Sequence, residues 1–122
     1  MSITIKGKIR FASPPLTIPD GSLLKVKFQD TGRMDAPSID LGVYEKVIES
    51  YKTGDEITYE IKCNRPNCFG TSMSAVLNIG WKASGSEWIR KGDHLNDTHH
   101  DIDVGNASQV VFEKDIEIIH YK

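Results

Sequence analysis

Strict alternation of apolar and polar residues, repeated along most of the chain, is the feature that most constrains its fold. Ile3, Ile5, Gly7, Ile9 and Phe11 share one phase, and Thr4, Lys6, Lys8 and Arg10 share the other. Successive side chains of an extended chain point to opposite faces, so this pattern reads as a half-buried β-strand. Leu24, Val26 and Phe28 alternate with Lys25, Lys27 and Gln29 in the same way. So do Ile57, Tyr59, Ile61 and Cys63 with Thr58, Glu60 and Lys62, and Met73, Ala75, Leu77, Ile79 and Trp81 with Ser74, Asn78 and Lys82. Ile39, Leu41 and Val43 form a shorter run that Val47 and Ile48 continue after a bend at residues 44–46. Residues 43–50 are the one stretch where a helix competes, and the β-branched Val47 and Ile48 weaken that alternative. Glu87 to Arg90 follow a hairpin-type turn at Ser84-Gly85-Ser86. Val110, Phe112, Ile116 and Ile118 predict a long last strand with Lys114 out of pattern.

The breaks between these runs have chemical causes. Pro14, Pro15 and the Pro19-Asp20-Gly21 step interrupt pairing, because proline lacks the ladder donor and Asp-Gly suits a turn. Thr53-Gly54-Asp55 reads as another turn, and residues 30–37, 63–71 and 91–106 are polar connections. There is no internal repeat, linker or low-complexity tract. A chain of 122 residues is the length of one domain, so 1–122 is expected to fold as a unit around a continuous core. Seven to eight short strands set off by turn residues predict an all-β, antiparallel β-sandwich of immunoglobulin-like size. A closed barrel is the structural alternative. The Cys…Trp…Cys spacing of true immunoglobulin domains is missing.

A net charge of −2 gives no electrostatic reason to bind nucleic acid or an anionic membrane. No apolar run approaches the ~18–20 residues of a membrane span. Nothing near Met1 reads as a signal peptide, so the chain is expected either to be cytosolic or to have lost a leader. The two cysteines, Cys63 and Cys68, bracket four residues, and a bridge between them would staple a short loop. Such a bridge needs an oxidising compartment; the alternative is two free thiols. A structural zinc site would need a second ligand pair that the cysteines cannot supply.

The densest polar constellation is residues 93–103, where three histidines and four aspartates occur in eleven positions. Asp93, His94, Asp97, His99, His100, Asp101 and Asp103 are candidate metal ligands, since imidazole with carboxylate suits zinc, copper or nickel and carboxylates alone suit calcium. In an extended chain His94 and His100 would face away from His99, so a preformed site needs a curled loop or a further ligand such as His120. The spacing matches neither an EF-hand nor a zincin helix, and a solvated polar loop is the simpler reading. Asn96-Asp97-Thr98 and Asn106-Ala107-Ser108 fit the N-glycosylation acceptor pattern. Trp81 is in phase with Leu77 and Ile79 and is expected in the core. Trp88 has no apolar partner in its phase, which makes its ring a candidate platform for a sugar. Lys91-Gly92-Asp93 matches an integrin-binding tripeptide by chance. No nucleophile elbow or phosphate-binding glycine loop occurs, so catalysis has little support and a small hydrolase ranks last.

Several segments together resemble one family. The strand at residues 23–29 runs into Asp30 and Thr31, then Asp35, Ala36 and Pro37; downstream come Asp97 and Thr98 and a hydrophobic final strand. This order is similar to the YbaY/YscW-type lipoproteins, a small bacterial envelope family that includes type III secretion pilotins. The lipid-bearing cysteine of that family is absent from the start of this chain, and the Cys63/Cys68 loop and the 91–106 segment depart from its pattern. Bottom-up, Asp30 and Thr31 at a strand end suit Asx- and ST-turns, and Asp35-Ala36-Pro37 suits a turn before an extended segment. The resemblance implies a non-enzymatic, extracytoplasmic or secreted β-sandwich that acts by protein–protein interaction, with the cytosol as the alternative location. The competing expectation is a metal- or carbohydrate-binding module built on residues 93–103 or Trp88. No cofactor is expected beyond a candidate divalent metal, and partner identity and oligomeric state are left open.

Overall fold

The computed structural model describes residues 2–12, 18–32, 39–52, 54–66, 70–84, 86–96, 100–104 and 108–121. Among them are nine strands: β1 (Ser2–Phe11), β2 (Ser22–Asp30), β3 (Ile39–Ile48), β4 (Ile57–Asn64), β5 (Thr71–Asn78), β6 (His94–Leu95), β7 (His100–Asp101), β8 (Val111–Glu113) and β9 (Ile116–His120). The described residues contain no helix. The alternation sets the inward face of each long strand. Ile3, Ile5 and Ile9 of β1, Leu24, Val26 and Phe28 of β2, Ile57, Tyr59 and Ile61 of β4, and Met73, Ala75 and Leu77 of β5 meet in one buried core with Ile116 and Ile118. Burying a side chain as large as Phe28 or Leu24 stabilises the fold by roughly 1.5–3 kcal/mol.

The strands follow one hydrogen-bonded path, β3-β2-β5-β6-β9-β1-β4, with β7 beside β5 and β8 beside β1. Its two ends come together. A Cβ on Gly42 of β3 would lie 2.5 Å from Ile61 Cγ2 of β4, so glycine lets the terminal strands cross at close range. The result is a nearly closed, barrel-like sheet in place of two separate layers. The purely antiparallel expectation is corrected: β1 runs parallel to both β8 and β9. The reason is connectivity. Last strand and first strand lie side by side in the same direction, and β9 also pairs with β6, which joins what would otherwise be two sheets.

Three local readings change as well. β3 is one continuous strand with Tyr44 opposite Val26, and the irregularity falls earlier, where β2 shifts register between Phe28 and Gln29. Residues 87–90 form no strand beyond an isolated Ser84–Glu87 bridge. The last strand is interrupted at Lys114 and Asp115, yet the register against β1 is the same on both sides, Ile5 opposite Phe112 and Ile9 opposite Ile116. The Lys114 amide still donates to the Lys6 carbonyl (2.9 Å), and side chains supply the other bonds across this gap. The Tyr59 hydroxyl donates to the Lys114 carbonyl. Asp115 accepts from the Lys8 amide (2.9 Å) and from Arg10 Nε (3.0 Å). The Lys8 amide first, and Arg10 after it, hold the Asp115 carboxyl below its ordinary range. Burial pushes the Tyr59 hydroxyl far up, with Asp115 adding to it, so it serves as a donor throughout. Gly7 makes the crossing possible, because a Cβ there would sit 2.0 Å from the Lys114 oxygen.

Candidate functional site

The 93–103 segment is built into the sheet. β6 lies between β5 and β9, with His94 opposite Leu77 on one side and His120 on the other. Asn96 extends the ladder: its amide donates to the Ala75 carbonyl (3.3 Å), and its side-chain Oδ1 accepts from the Ala75 amide (2.9 Å). That engagement turns the Asn96 side-chain oxygen onto the β5 backbone. β7 pairs with Ser72 and Met73 of β5. The His100 ring then reaches β9, its Nε2 accepting from the Glu117 amide at 3.2 Å. The His94 ring is buried edge-on against Phe11 at 5.3 Å and lies 5.4 Å from the His120 ring. Its Nδ1 is buried with no hydrogen-bond partner among the described residues. Burial, then the neighbouring His120, pushes the His94 pKa down, against an opposing pull from Asp93.

Asp93 is the centre of a buried polar knot and is 1% exposed. Its Oδ1 accepts from the Ile79 amide (2.9 Å), and its Oδ2 accepts from Asn78 Nδ2 (3.0 Å) and the Arg90 amide (2.9 Å). Trp81 Nε1 lies within 3.1 Å of both oxygens. Asn78 carries the knot outward: its Nδ2 also donates to the Trp88 carbonyl (3.1 Å), and its Oδ1 accepts from the Ala83 amide (3.2 Å). The Arg90 guanidinium covers the Trp81 ring at 3.9 Å and pairs with Glu87 at 2.8 Å. A carboxylate buried at this depth needs this many donors, since each unmet bond would leave desolvation uncompensated. The effect is to fold residues 79–84 and 86–92 back over the outer face of β5 and hold them there.

That folded-back segment walls a groove of about 510 Å³ on the outer face of β2, β5 and β6. Lys25, Lys27 and Gln29 of β2 line one side and Trp88, 54% exposed, lines the other. Lys25 stands 3.4 Å from Glu45, Lys27 stands 3.3 Å from Asp40, and Gln29 donates to Asp40 at 2.9 Å. Val76 and Leu95 contribute apolar surface between them.

Among the described residues, no three His, Cys, Asp or Glu side chains gather to hold a metal ion. Asp93 is spent on the polar knot, His94 is packed against Phe11, and His100 accepts a backbone bond. Asp101 and Asp103 are exposed, and Asp97 and His99 lie outside the described residues. Cys63 is a half-buried free thiol whose pKa burial raises. Cys68 lies outside the described residues, and so does the expected bridge. Asp30 Oδ1 accepts from the Gly32 amide at 3.0 Å, an Asx-turn, and the Thr31 amide donates to Gly70. Asp35, Ala36 and Pro37 lie outside the described residues, as do Thr98, Asn106 and Ala107.

Alternation correctly put Asn78 and the β2 lysines on the outer face of the sheet. It could not show that residues 79–84 and 86–92 return to cover Asn78, because that depends on a carboxylate 15 residues away.

No family model matches the chain, and no curated protein matches its sequence. A solved structure does: that of an alternative pilotin from the type II secretion system of Vibrio cholerae. The likeness covers 98% of this chain and 99% of that one, with a TM-score of 0.63 and 15% sequence identity. At that identity the similarity is one of fold.

Proposed function

We propose that the chain is a non-enzymatic, extracytoplasmic protein associated with a bacterial secretion system, acting by binding a protein partner. The end-to-end likeness in fold to the Vibrio cholerae pilotin carries this reading. The finer membership, in the YbaY/YscW-type lipoproteins, belongs to the same proposal and rests on Asp30, Thr31, Asp35, Ala36, Pro37, Asp97 and Thr98. Fold alone does not fix function, so the proposal needs a partner-level test. No helix among the described residues is long and apolar enough to cross a membrane. A non-catalytic role is supported by where the perturbed groups sit. Tyr59, His94 and Asp115 are each engaged in strand seams, and the pKa of Glu87, on the groove wall, is lowered by its bond to Arg90, which holds it in a surface ion pair.

The test is to tag the chain at its own locus, cross-link in living cells and identify the captured proteins by mass spectrometry, with fractionation in parallel. The expected result is recovery in the envelope fraction with outer-membrane components of a secretion machine enriched over an unrelated tagged control. Recovery in the cytosol with no such component enriched overturns the proposal.

A further inference from the structure

We propose that the groove between β2 and Trp88 binds a neutral oligosaccharide, a role beyond the protein-partner reading and independent of it. The tryptophan is the first ground for this. The residue is 54% exposed, yet its backbone is anchored by Asn78 Nδ2 at the Trp88 carbonyl, and Asn78 is itself fixed by buried Asp93. An indole whose backbone is tethered at its carbonyl and whose side chain is presented to solvent offers an apolar platform at a fixed place on the groove wall.

Charge is the second ground. Lys25 and Lys27 would favour an anion if they stood alone. They are paired with Glu45 and Asp40, and Glu87 on the opposite wall is paired with Arg90. The groove therefore offers donors and acceptors side by side with little net charge. A sugar hydroxyl both donates and accepts, so a row of such pairs suits it. A free anion would have to compete with Glu45 and Asp40 for the lysines, and a cation would meet the lysines. The CH face of a pyranose would lie on the indole, with Val76 and Leu95 beneath it.

Strand pairing disfavours a competing occupant. An extended peptide gains affinity on a sheet by adding a strand at a free edge. β2 is paired with β3 and β5, β5 with β2 and β6, and β6 with β5 and β9, so the groove floor has no free edge. A volume of about 510 Å³ falls in the usual range for small-molecule sites and would seat two to three sugar units.

The experiment titrates the purified chain with cellotetraose, chitotetraose and maltotetraose, by calorimetry and by tryptophan emission. At least one should bind saturably below about 10 mM, blue-shifting the emission as the indole is covered. Trp88→Ala should weaken it at least about tenfold, Trp88→Phe should retain it within about threefold, and Gln29→Ala should weaken it about threefold, as loss of one stacking face and of one hydrogen bond require. Trp88 is exposed, so its variants are expected to keep the wild-type melting midpoint. Four results each overturn the proposal: no saturable binding of any of the three, affinity unchanged in Trp88→Ala, preference for polygalacturonate over all three, or a peptide captured at Trp88 by a chain that binds no sugar. None of these depends on a secretion partner, so failure here and failure of the protein-partner reading are distinguishable.

Discussion

Replacing Asp93 by alanine is the sharpest perturbation the structure offers. Four N–H donors converge on this carboxylate: the Ile79 and Arg90 amides, Asn78 Nδ2 and Trp81 Nε1. All lie 2.9–3.1 Å from an oxygen that water does not reach. Removing the acceptor strands each donor at about 1–3 kcal/mol, less whatever the loop recovers by opening to solvent. If only two donors stay dry, the loss is still about 2–6 kcal/mol, a large fraction of a typical total of about 5–15 kcal/mol. Asp93→Asn keeps the shape but turns an amide N–H toward donors, and is expected to lose about 2–3 kcal/mol. Asp101→Ala, at an exposed position, should stay within about 0.5 kcal/mol of the parent. Urea unfolding followed by tryptophan emission measures all three, with Trp81 reporting the knot directly. An unfolding free energy for Asp93→Ala within about 1 kcal/mol of the parent, at unchanged slope, would refute the reasoning.

Two further outcomes follow from the seams. Because the fold lowers the His94 pKa, the unfolded chain takes up its proton first as pH falls; stability is full above the ordinary histidine value of about 6.5 and declines below it, at no more than about 1.4 kcal/mol per pH unit. Urea midpoints measured from pH 7.5 to 5 should show this decline, and His94→Gln should flatten it; an identical slope in the variant counts against the assignment. Gly7→Ala should destabilise by about 3 kcal/mol or more, because its Cβ would press on the Lys114 backbone, which has no flexible side chain to yield. A melting midpoint equal to the parent's would show that the crossing at Lys114 has more room than the structure gives it.

The strands were legible because alternation is a local property. Ile3, Ile5 and Ile9 announce an inward face whatever they pack against, and so do Leu24, Val26 and Phe28. Pairing was not legible, since nothing in residues 110–118 says that they will lie beside residues 4–11 and run the same way. Lys114, the residue that broke the pattern, marked the place where the last strand is interrupted. The 93–103 segment misled because composition looks the same for a metal cluster and for a set of buried acceptors. Asp93 and His100 are both acceptors for N–H groups of the protein itself. Trp88 stood out by phase alone, whereas the groove it faces depends on Asn78 and Asp93 holding residues 79–84 and 86–92 in place.

The parallel arrangement of β1 with β8 and β9 has a mechanical consequence. Ser2 begins one of these strands and His120 ends the other, so force applied through the flanking chain pulls two neighbouring strands lengthwise in opposite directions. Load along that axis is shared by the whole ladder, together with the Lys8 and Arg10 bonds to Asp115, whereas in a peeled hairpin the bonds break singly. A chain built this way resists stretching end to end more strongly than its melting temperature alone would indicate. It would yield more readily to a pull directed across β6, where a two-residue strand, the Tyr121 backbone bonds to Gly92 and Asp93 and the His100 bond to Glu117 join the halves.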